Sequence, residues 1–230
     1  MKFIRELKGG LKLLSIIKDP TNTQNIFDLI LHFQNNPTNI EIIENFEEMF
    51  LANPSINKMY QDQYFADTEL RNPELYKDYA DGTLGKLYYQ HMIKYKLDYK
   101  IFPNLKQNRP MDYITGRVYW SHDIWHALLG YDSELKGEME VQAFSLAQMS
   151  SPLSAILVSA GLINISKTNT LYLRDYYEDC MKAYERGLNS PLLLAIKLEE
   201  KMLQTPAQIL DEASKLETHV DLISREHLSH

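Results

Sequence analysis

Two histidines and a glutamate near the middle of the chain have the types and spacing of metal ligands. His122 and His126 are four residues apart, and Glu138 follows His126 after eleven intervening residues. Side chains at positions i and i+4 of an α-helix project from one face, so both imidazoles can reach one ion. The sequence therefore predicts a metal site on a helix, with a carboxylate supplied by the next element.

Two helices joined by a short turn must position these ligands. Gly130 stands where a left-handed helix cap is expected, and residues 134–148 have the pattern of the following helix. At a rise of about 1.5 Å per residue, His126 lies roughly 6 Å before the turn and Glu138 a similar distance after it. If the helices pack as an antiparallel hairpin, the carboxylate reaches the level of the imidazoles.

Asp123 is a further candidate ligand. On a helical wheel it lies roughly 100° from His122, whereas His126 lies roughly 40° away. It can be a fourth ligand or an acceptor that fixes the tautomer of an imidazole. Two histidines at this spacing also arise by chance as ordinary side chains, but two carboxylates at compatible positions favour the metal site. We expect a divalent ion, zinc first, with iron or magnesium as alternatives.

The surrounding residues resemble those of a known family. Residues 127–131 and 137–144 flank the ligands, Asp81-Gly82-Thr83-Leu84-Gly85 and Tyr88 lie upstream, and Ala183-Tyr184-Glu185-Arg186-Gly187 and Pro191-Leu192 lie downstream. Together with His122-Asp123-x-x-His126 and Glu138, these segments are similar to the fourth Coq protein of ubiquinone (coenzyme Q) biosynthesis, the Coq4 family. The resemblance runs from about residue 80 to about residue 200.

The resemblance implies a function in making prenyl-quinones. The chain would bind a polyprenyl lipid and promote oxidative decarboxylation of a polyprenylated hydroxybenzoate-type head group, as a lyase in which the metal acts as a Lewis acid. One alternative is a non-catalytic prenyl-lipid-binding scaffold for other quinone-biosynthesis enzymes. A second is a zincin-like metallohydrolase, because His122-Asp123-x-x-His126 differs from the HExxH motif only by a shorter acid.

Polar residues one helical turn from the ligands form a candidate substrate surface. Tyr119 precedes His122 by one turn, and Gln142 follows Glu138 by one turn. Tyr119 can equally be a core residue whose hydroxyl is satisfied. Arg117 and Arg174 are candidate anion binders, although surface arginines are common. The pattern does not distinguish a catalytic residue from these binding residues.

Small residues in the segment 150–165 leave space beside its apolar side chains. Ser154 and Ala155 lie in this segment and are our candidates for contact with a long apolar chain. Close packing between helices explains the same composition, so the two interpretations both stand. A polyprenyl substrate, which the family resemblance implies, favours the first.

Composition restricts the class of protein. With 44% hydrophobic and 24% charged residues the chain is globular, and a net charge of −7 argues against nucleic-acid binding. Cys180 is the single cysteine, which excludes an internal disulfide and a multi-thiolate metal site and fits a reducing compartment. No stretch reaches the roughly 18 apolar residues of a membrane span.

The hydrophobic periodicity predicts an all-α fold as a single multi-helix domain over residues 1–230. An N-terminal helical lobe occupies residues 1–80, a metal- and lipid-binding core residues 81–205, and a C-terminal helix and tail residues 206–230. Expected helices cover 1–18, 22–34, 38–51, 83–97, the ligand helix from 111, 134–148, 152–165, 168–186, 191–203 and 206–226. Thr38 to Glu41 has the pattern of a capping box.

The first helix is amphipathic and basic. Lys2, Arg5, Lys8 and Lys12 lie beside an apolar face, which fits either a core helix or a helix on an anionic membrane surface. Because a protein that handles polyprenyl lipids needs access to a bilayer, we favour a cytoplasmic protein bound peripherally to the inner face of a membrane. A homo-oligomer such as a homodimer is possible. The metal, head group, prenyl length and oligomeric state stay open.

Overall fold

The computed structural model describes residues 12–216, except 13, 17, 20, 21, 65–67 and 101–108, and only the backbone at 23, 27, 68 and 216. Every regular element of these residues is a helix, which confirms the all-α class. The α-helices are α1 (Thr23–Gln34), α2 (Ile40–Leu51), α3 (Pro54–Gln61), α4 (Leu84–Tyr95), α5 (Pro110–Leu129), α6 (Leu135–Met149), α7 (Pro152–Thr168), α8 (Leu173–Leu188) and α9 (Pro206–Leu216). The 3-10 helices are Pro37–Asn39, Thr68–Arg71, Pro73–Tyr76, Thr170–Tyr172, Leu193–Ala195 and Leu198–Glu200.

Side-chain caps fix several predicted helix starts. The Asn22 carboxamide oxygen accepts the Asn25 N–H at the start of α1 (3.0 Å), and the Thr83 hydroxyl accepts the Lys86 N–H at the start of α4 (3.4 Å). Each cap satisfies an amide that has no partner inside the helix. The sequence signals for these helices are therefore local, and both helices begin within one residue of the predicted position.

The start of α2 differs from the prediction. The Asn36 side chain accepts the Thr38 N–H (3.2 Å), and Pro37–Asn39 form a 3-10 turn before α2 begins at Ile40. The sequence pattern predicts Thr38 as the N-cap, but Asn36 caps the chain here. Pro37 lacks an N–H and has a fixed φ angle, so the chain tightens one turn earlier than the Thr38–Glu41 pattern indicates.

The predicted helix over residues 191–203 is wrong. This segment contains only the two short 3-10 helices Leu193–Ala195 and Leu198–Glu200. Leu192, Leu193 and Leu194 are consecutive and all buried. Pro191 suits the first turn of a helix but does not by itself make the residues after it helical, and short 3-10 turns stand in place of the expected helix.

Contacts between Cα atoms divide the chain into two compact units. The first contains the described residues up to Ile43 together with Ser133–Leu188, and in it α6 packs against α7 and α8. Its core includes the buried residues Ile16, Leu29, Leu157 and Ala160. The second contains Glu44–Asp132 and the described residues from Asn189, and in it α4 packs along α5. The predicted boundaries at residues 80 and 205 stay predictions.

Two expectations concern membranes. In the described part of the chain, no helix has both the length and the apolar character needed to cross a bilayer. The predicted basic helix falls mostly on residues 1–11, which lie outside the described residues. Of its four cations, the structure describes Lys12, whose ammonium group pairs with Asp28 of α1 (3.2 Å).

Candidate metal centre

The histidine pair lies near the C-terminal end of α5. Pro110 occupies the first turn of this helix, where its missing N–H has no cost, and Gly130 ends it with a left-handed φ of 75°. His126 is buried and His122 is half-buried. The predicted ligand helix and its glycine cap are confirmed.

The two imidazoles face each other through their Nε2 atoms, which are 3.2 Å apart. Two ligands each about 2.0–2.1 Å from an ion and 3.2 Å from one another subtend an angle of about 100° at that ion. This angle lies between the ideal octahedral and tetrahedral values. The separation of the two Nε2 atoms is therefore compatible with both rings binding one divalent ion.

The chain after the helix fixes the tautomer of His126. Its Nδ1 lies 3.3 Å from the carbonyl oxygen of Tyr131, and the Tyr131 N–H donates to the carbonyl oxygen of His126 (3.1 Å). A carbonyl oxygen only accepts, so Nδ1 of His126 must carry the proton. In the neutral ring the lone pair is then on Nε2, the atom that faces His122.

Glu138 completes a cluster with the histidines. One ligand atom from each of His122, His126 and Glu138 lies within 4.8 Å of the other two, and this group could hold a metal ion. Glu138 is in the first turn of α6, where the positive end of the helix dipole favours a carboxylate. The predicted hairpin packing of α5 and α6 stays a prediction.

Asp123 stands apart from that group of three. It is half-buried, and its negative charge raises the pKa of Tyr88, although burial of the phenol is the larger cause of that shift. The same charge opposes the effect of burial, which lowers the pKa of Arg71. Asp123 thus interacts with a buried cation, Arg71, whose guanidinium lies 4.8 Å from the ring centre of Trp120. Its predicted role as fourth ligand or tautomer-fixing acceptor stays a prediction.

The structure adds one residue that the sequence reading missed. His91, buried on α4, stacks on His126 with ring centres 5.2 Å apart and planes 27° apart. The ring of His91 also contacts that of Tyr95, one turn later on α4, with ring centres 4.8 Å apart. No spacing rule links His91 to α5, because they meet only through the packing of two helices.

The predicted substrate-contacting residues lie on three helices. Tyr119 is half-buried on α5, one turn before His122, and burial raises the pKa of its phenol, which keeps the hydroxyl protonated. Gln142 is half-buried on α6, one turn after Glu138. Their roles as substrate contacts stay predictions.

Ser154 and Ala155 lie in the first turn of α7. Ser154 is buried and Ala155 half-buried. Further along α7, a Cβ added to Gly161 would lie 2.4 Å from the Tyr176 hydroxyl and 2.7 Å from Met139 Sδ. Close packing therefore explains the small residue at 161, whereas the predicted lipid contact remains a prediction for Ser154 and Ala155.

Neither candidate anion-binding arginine stands ready for a head group. Arg117 is buried and forms an ion pair with buried Glu199, so its charge is already neutralised inside the second unit. Arg174 is exposed and pairs with Glu178 one turn later on α8 (2.9 Å). The suggestion for Arg117 is wrong because burial and Glu199 commit its guanidinium to the fold.

Fold and site together define an all-helical protein with a candidate His-His-Glu metal centre. The family model "Coenzyme Q (ubiquinone) biosynthesis protein Coq4" matches residues 14–218, and the chain belongs to this family. The match extends well beyond residues 80–200, where the resemblance was expected, and includes most of the N-terminal region.

Individual relatives agree with this assignment. The chain is 23% identical over 161 residues to "Ubiquinone biosynthesis protein COQ4, mitochondrial" of Candida albicans (strain WO-1), covering 69% of this chain and 49% of the relative. It is 26% identical over 146 residues to the COQ4 homolog of Danio rerio, covering 63% and 53%. The chain thus spans about half the length of the curated relatives it matches.

A crystal structure has the same fold. A protein of Nostoc punctiforme PCC 73102, provisionally named a ubiquinone biosynthesis protein, superposes with a TM-score of 0.75 at 23% identity. The match covers 90% of this chain and 97% of that one. The helical architecture is therefore shared along nearly the whole chain.

Proposed function

We propose that this protein is a metal-dependent component of ubiquinone biosynthesis that acts on a polyprenyl-tailed aromatic substrate. The observation that carries the proposal is the cluster of His122, His126 and Glu138 in a member of the Coq4 family. A divalent ion, zinc first and iron or magnesium as alternatives, is the cofactor we propose. When bound, it would supply Lewis-acid stabilisation of negative charge on the head group.

The charge of the ligand set supports an anionic substrate. Two neutral imidazoles and one carboxylate contribute a single negative charge, so a divalent ion in the site leaves one net positive charge. That surplus attracts a carboxylate-bearing head group at close range. His126 holds the geometry, since Tyr131 fixes its proton on Nδ1 and directs its lone pair toward the site.

The proposed reaction is oxidative decarboxylation of a polyprenylated hydroxybenzoate-type ring. The bond from the ring carbon to its carboxylate breaks and releases CO2, and a hydroxyl oxygen becomes bonded to the same carbon. This exchange is a two-electron oxidation of the substrate. We propose that water supplies the hydroxyl oxygen and that dioxygen is the oxidant, taking up the two electrons and two protons to leave as hydrogen peroxide. Tyr119 and Gln142, one turn from the ligands, are the proposed contacts to the head group.

The activity test uses purified protein, one divalent metal at a time, a polyprenyl hydroxybenzoate and dioxygen. We expect release of CO2 together with the hydroxylated product, and loss of both in His122→Ala. Substrate binding without turnover under any metal would favour the alternative, a prenyl-lipid-binding scaffold. Peptide hydrolysis would favour the metallohydrolase instead.

The lipid tail is proposed to lie along the start of α7, beside Ser154 and Ala155. The matched test compares Ser154→Phe with Ser159→Phe, because Ser154 is buried whereas Ser159 on the same helix is exposed. We expect Ser154→Phe to weaken binding of a long-chain prenyl lipid and leave the metal content intact, and Ser159→Phe to change neither. Equal lipid affinity in both variants would contradict the proposal that the tail lies beside Ser154 and Ala155.

The proposed location is the surface of a membrane, reached by the basic N-terminal segment. The relatives from Candida albicans and Danio rerio carry the word mitochondrial in their names, whereas the sequence led us to expect a cytoplasmic protein on the inner face of a membrane. Changing Lys2, Arg5 and Lys8 to Glu should release the protein from anionic vesicles. The proposed partners are other quinone-biosynthesis enzymes and a second copy of the chain.

A further inference from the structure

We infer that His91 is a positioning residue for the metal ligand His126, an inference that rests on the proposed metal site. The two rings are stacked, with centres 5.2 Å apart and planes 27° apart. Such a nearly parallel contact covers one face of the His126 ring. It limits rotation about the side-chain bonds that would swing Nε2 away from His122.

Three contacts together fix the His126 ring. The Tyr131 carbonyl oxygen restrains Nδ1, His122 faces Nε2 at 3.2 Å, and His91 covers the face of the ring. The N–H and the lone pair of an imidazole are directed in the plane of the ring, so contacts at the two nitrogens restrain motion perpendicular to that plane least. The stacked ring of His91 opposes that remaining motion.

The surroundings of His91 make it a firm support. Its side chain is 9% exposed, and Tyr95 packs on it from the next turn of α4 with ring centres 4.8 Å apart. Helix α4 itself packs along α5, the helix that carries both histidines. An aromatic ring at position 91 therefore couples the packing of α4 on α5 to the orientation of the His126 ring.

The role requires a flat ring and not a titrating group. A phenyl ring can stack on an imidazole in the same way, whereas an alanine leaves the face uncovered and a gap beside it. We therefore expect His91→Phe to retain the function of the site and His91→Ala to lose it. This pair separates the positioning role from metal ligation by His91, which phenylalanine cannot replace.

The test measures the affinity of full-length protein for Co²⁺ and Zn²⁺ by chelator competition, and the visible absorption of the Co²⁺ form. Loss of an outer-shell partner typically weakens metal binding about 10–100-fold. We expect a loss of that size and an altered Co²⁺ spectrum in His91→Ala, with His91→Phe within about threefold of wild type.

A structural control is Met92→Ala. Met92 is the next residue on α4, buried and pointing about 100° away from His91. This variant should lower the melting temperature at least as much as His91→Ala and keep the Co²⁺ spectrum and affinity of wild type.

The outcomes are distinguishable. Wild-type metal affinity and spectrum in His91→Ala would overturn the inference while leaving the metal site intact. Absence of Co²⁺, Zn²⁺, Fe²⁺ and Mg²⁺ binding by the wild-type protein would instead overturn the proposed function. A loss in Met92→Ala equal to that in His91→Ala would reduce His91 to an ordinary core residue.

Discussion

His126 and Tyr131 are joined by two reciprocal contacts across the end of α5. The Nδ1 of His126 lies 3.3 Å from the Tyr131 carbonyl oxygen, and the Tyr131 N–H lies 3.1 Å from the His126 carbonyl oxygen. Both contacts depend on the left-handed turn at Gly130. The helix cap therefore also favours the tautomer of His126 that carries its proton on Nδ1.

Gly130→Ala should weaken both the fold and the metal site. Apart from the adjoining chain, no atom of the described residues lies within 4 Å of a Cβ added there, so the penalty comes from the φ of 75° and not from a clash. A left-handed alanine costs about 1–2 kcal/mol. Urea unfolding should show a loss of that order, and chelator titration should show weaker metal binding. Gly82→Ala is a matched control, since its φ is 82° and its Cβ is equally unhindered; it should cost similar stability and leave metal affinity unchanged.

Asp123→Asn distinguishes two roles for the aspartate. A carboxamide keeps the size of the side chain and removes its charge. If Asp123 is a direct ligand, Asp123→Asn should therefore abolish metal binding almost completely. An indirect role predicts binding that is weaker by about 10–100-fold and still measurable. Because Asp123 interacts electrostatically with Arg71 outside the His-His-Glu group, we expect the weaker effect. Zinc content after dialysis against a graded chelator series measures the difference, and complete loss would make Asp123 a ligand.

Removal of one partner of the Arg117–Glu199 ion pair should lower the stability of the fold strongly, whereas replacement of both partners by apolar residues should lower it little. Arg117→Met leaves the buried carboxylate of Glu199 without its cation, which costs about 3–5 kcal/mol. The double variant Arg117→Met with Glu199→Met removes both charges and should recover most of that loss. Unfolding in urea of both single variants and the double variant forms the required cycle. Additive losses would mean that the two side chains are not coupled.

The helices and the ligands differ in how far they can be predicted from sequence. Asn22, Thr83 and Gly130 act on their own helix ends, so local residue types suffice to predict α1, α4 and α5. The ligand pattern is also local, because His122 and His126 share one helix. The grouping of His122, His126 and Glu138 is therefore predictable from the sequence, whereas the metal they would hold and the role of Asp123 stay predictions.

Features that arise from tertiary packing escaped prediction. His91 reaches His126 only through the packing of α4 on α5, and Arg117 loses its availability to Glu199, 82 positions away in the sequence. The leucines at 192–194 are buried and do not form the expected helix. In each case the deciding partner is far away in the chain, where residue spacing carries no signal.

We propose that the histidine pair and Glu138 together hold one divalent ion. The direct measurement is the metal content of protein purified without added metal, determined by native mass spectrometry and elemental analysis. The samples are the wild type, His122→Ala and Glu138→Ala. His32→Ala, which removes a half-buried imidazole from α1, is the control for nonspecific binding. Circular dichroism reports whether each variant keeps its helical content.

We expect stoichiometric metal in the wild type and also in His32→Ala, because His32 is not one of the proposed ligands. His122→Ala and Glu138→Ala should each lose the ion and keep their helices, since α5 and α6 are each held by packing within their own units. Stoichiometric metal retained in both ligand variants, or a metal-free wild type that does not take up added zinc, iron or magnesium, would show that these three residues do not form a metal site.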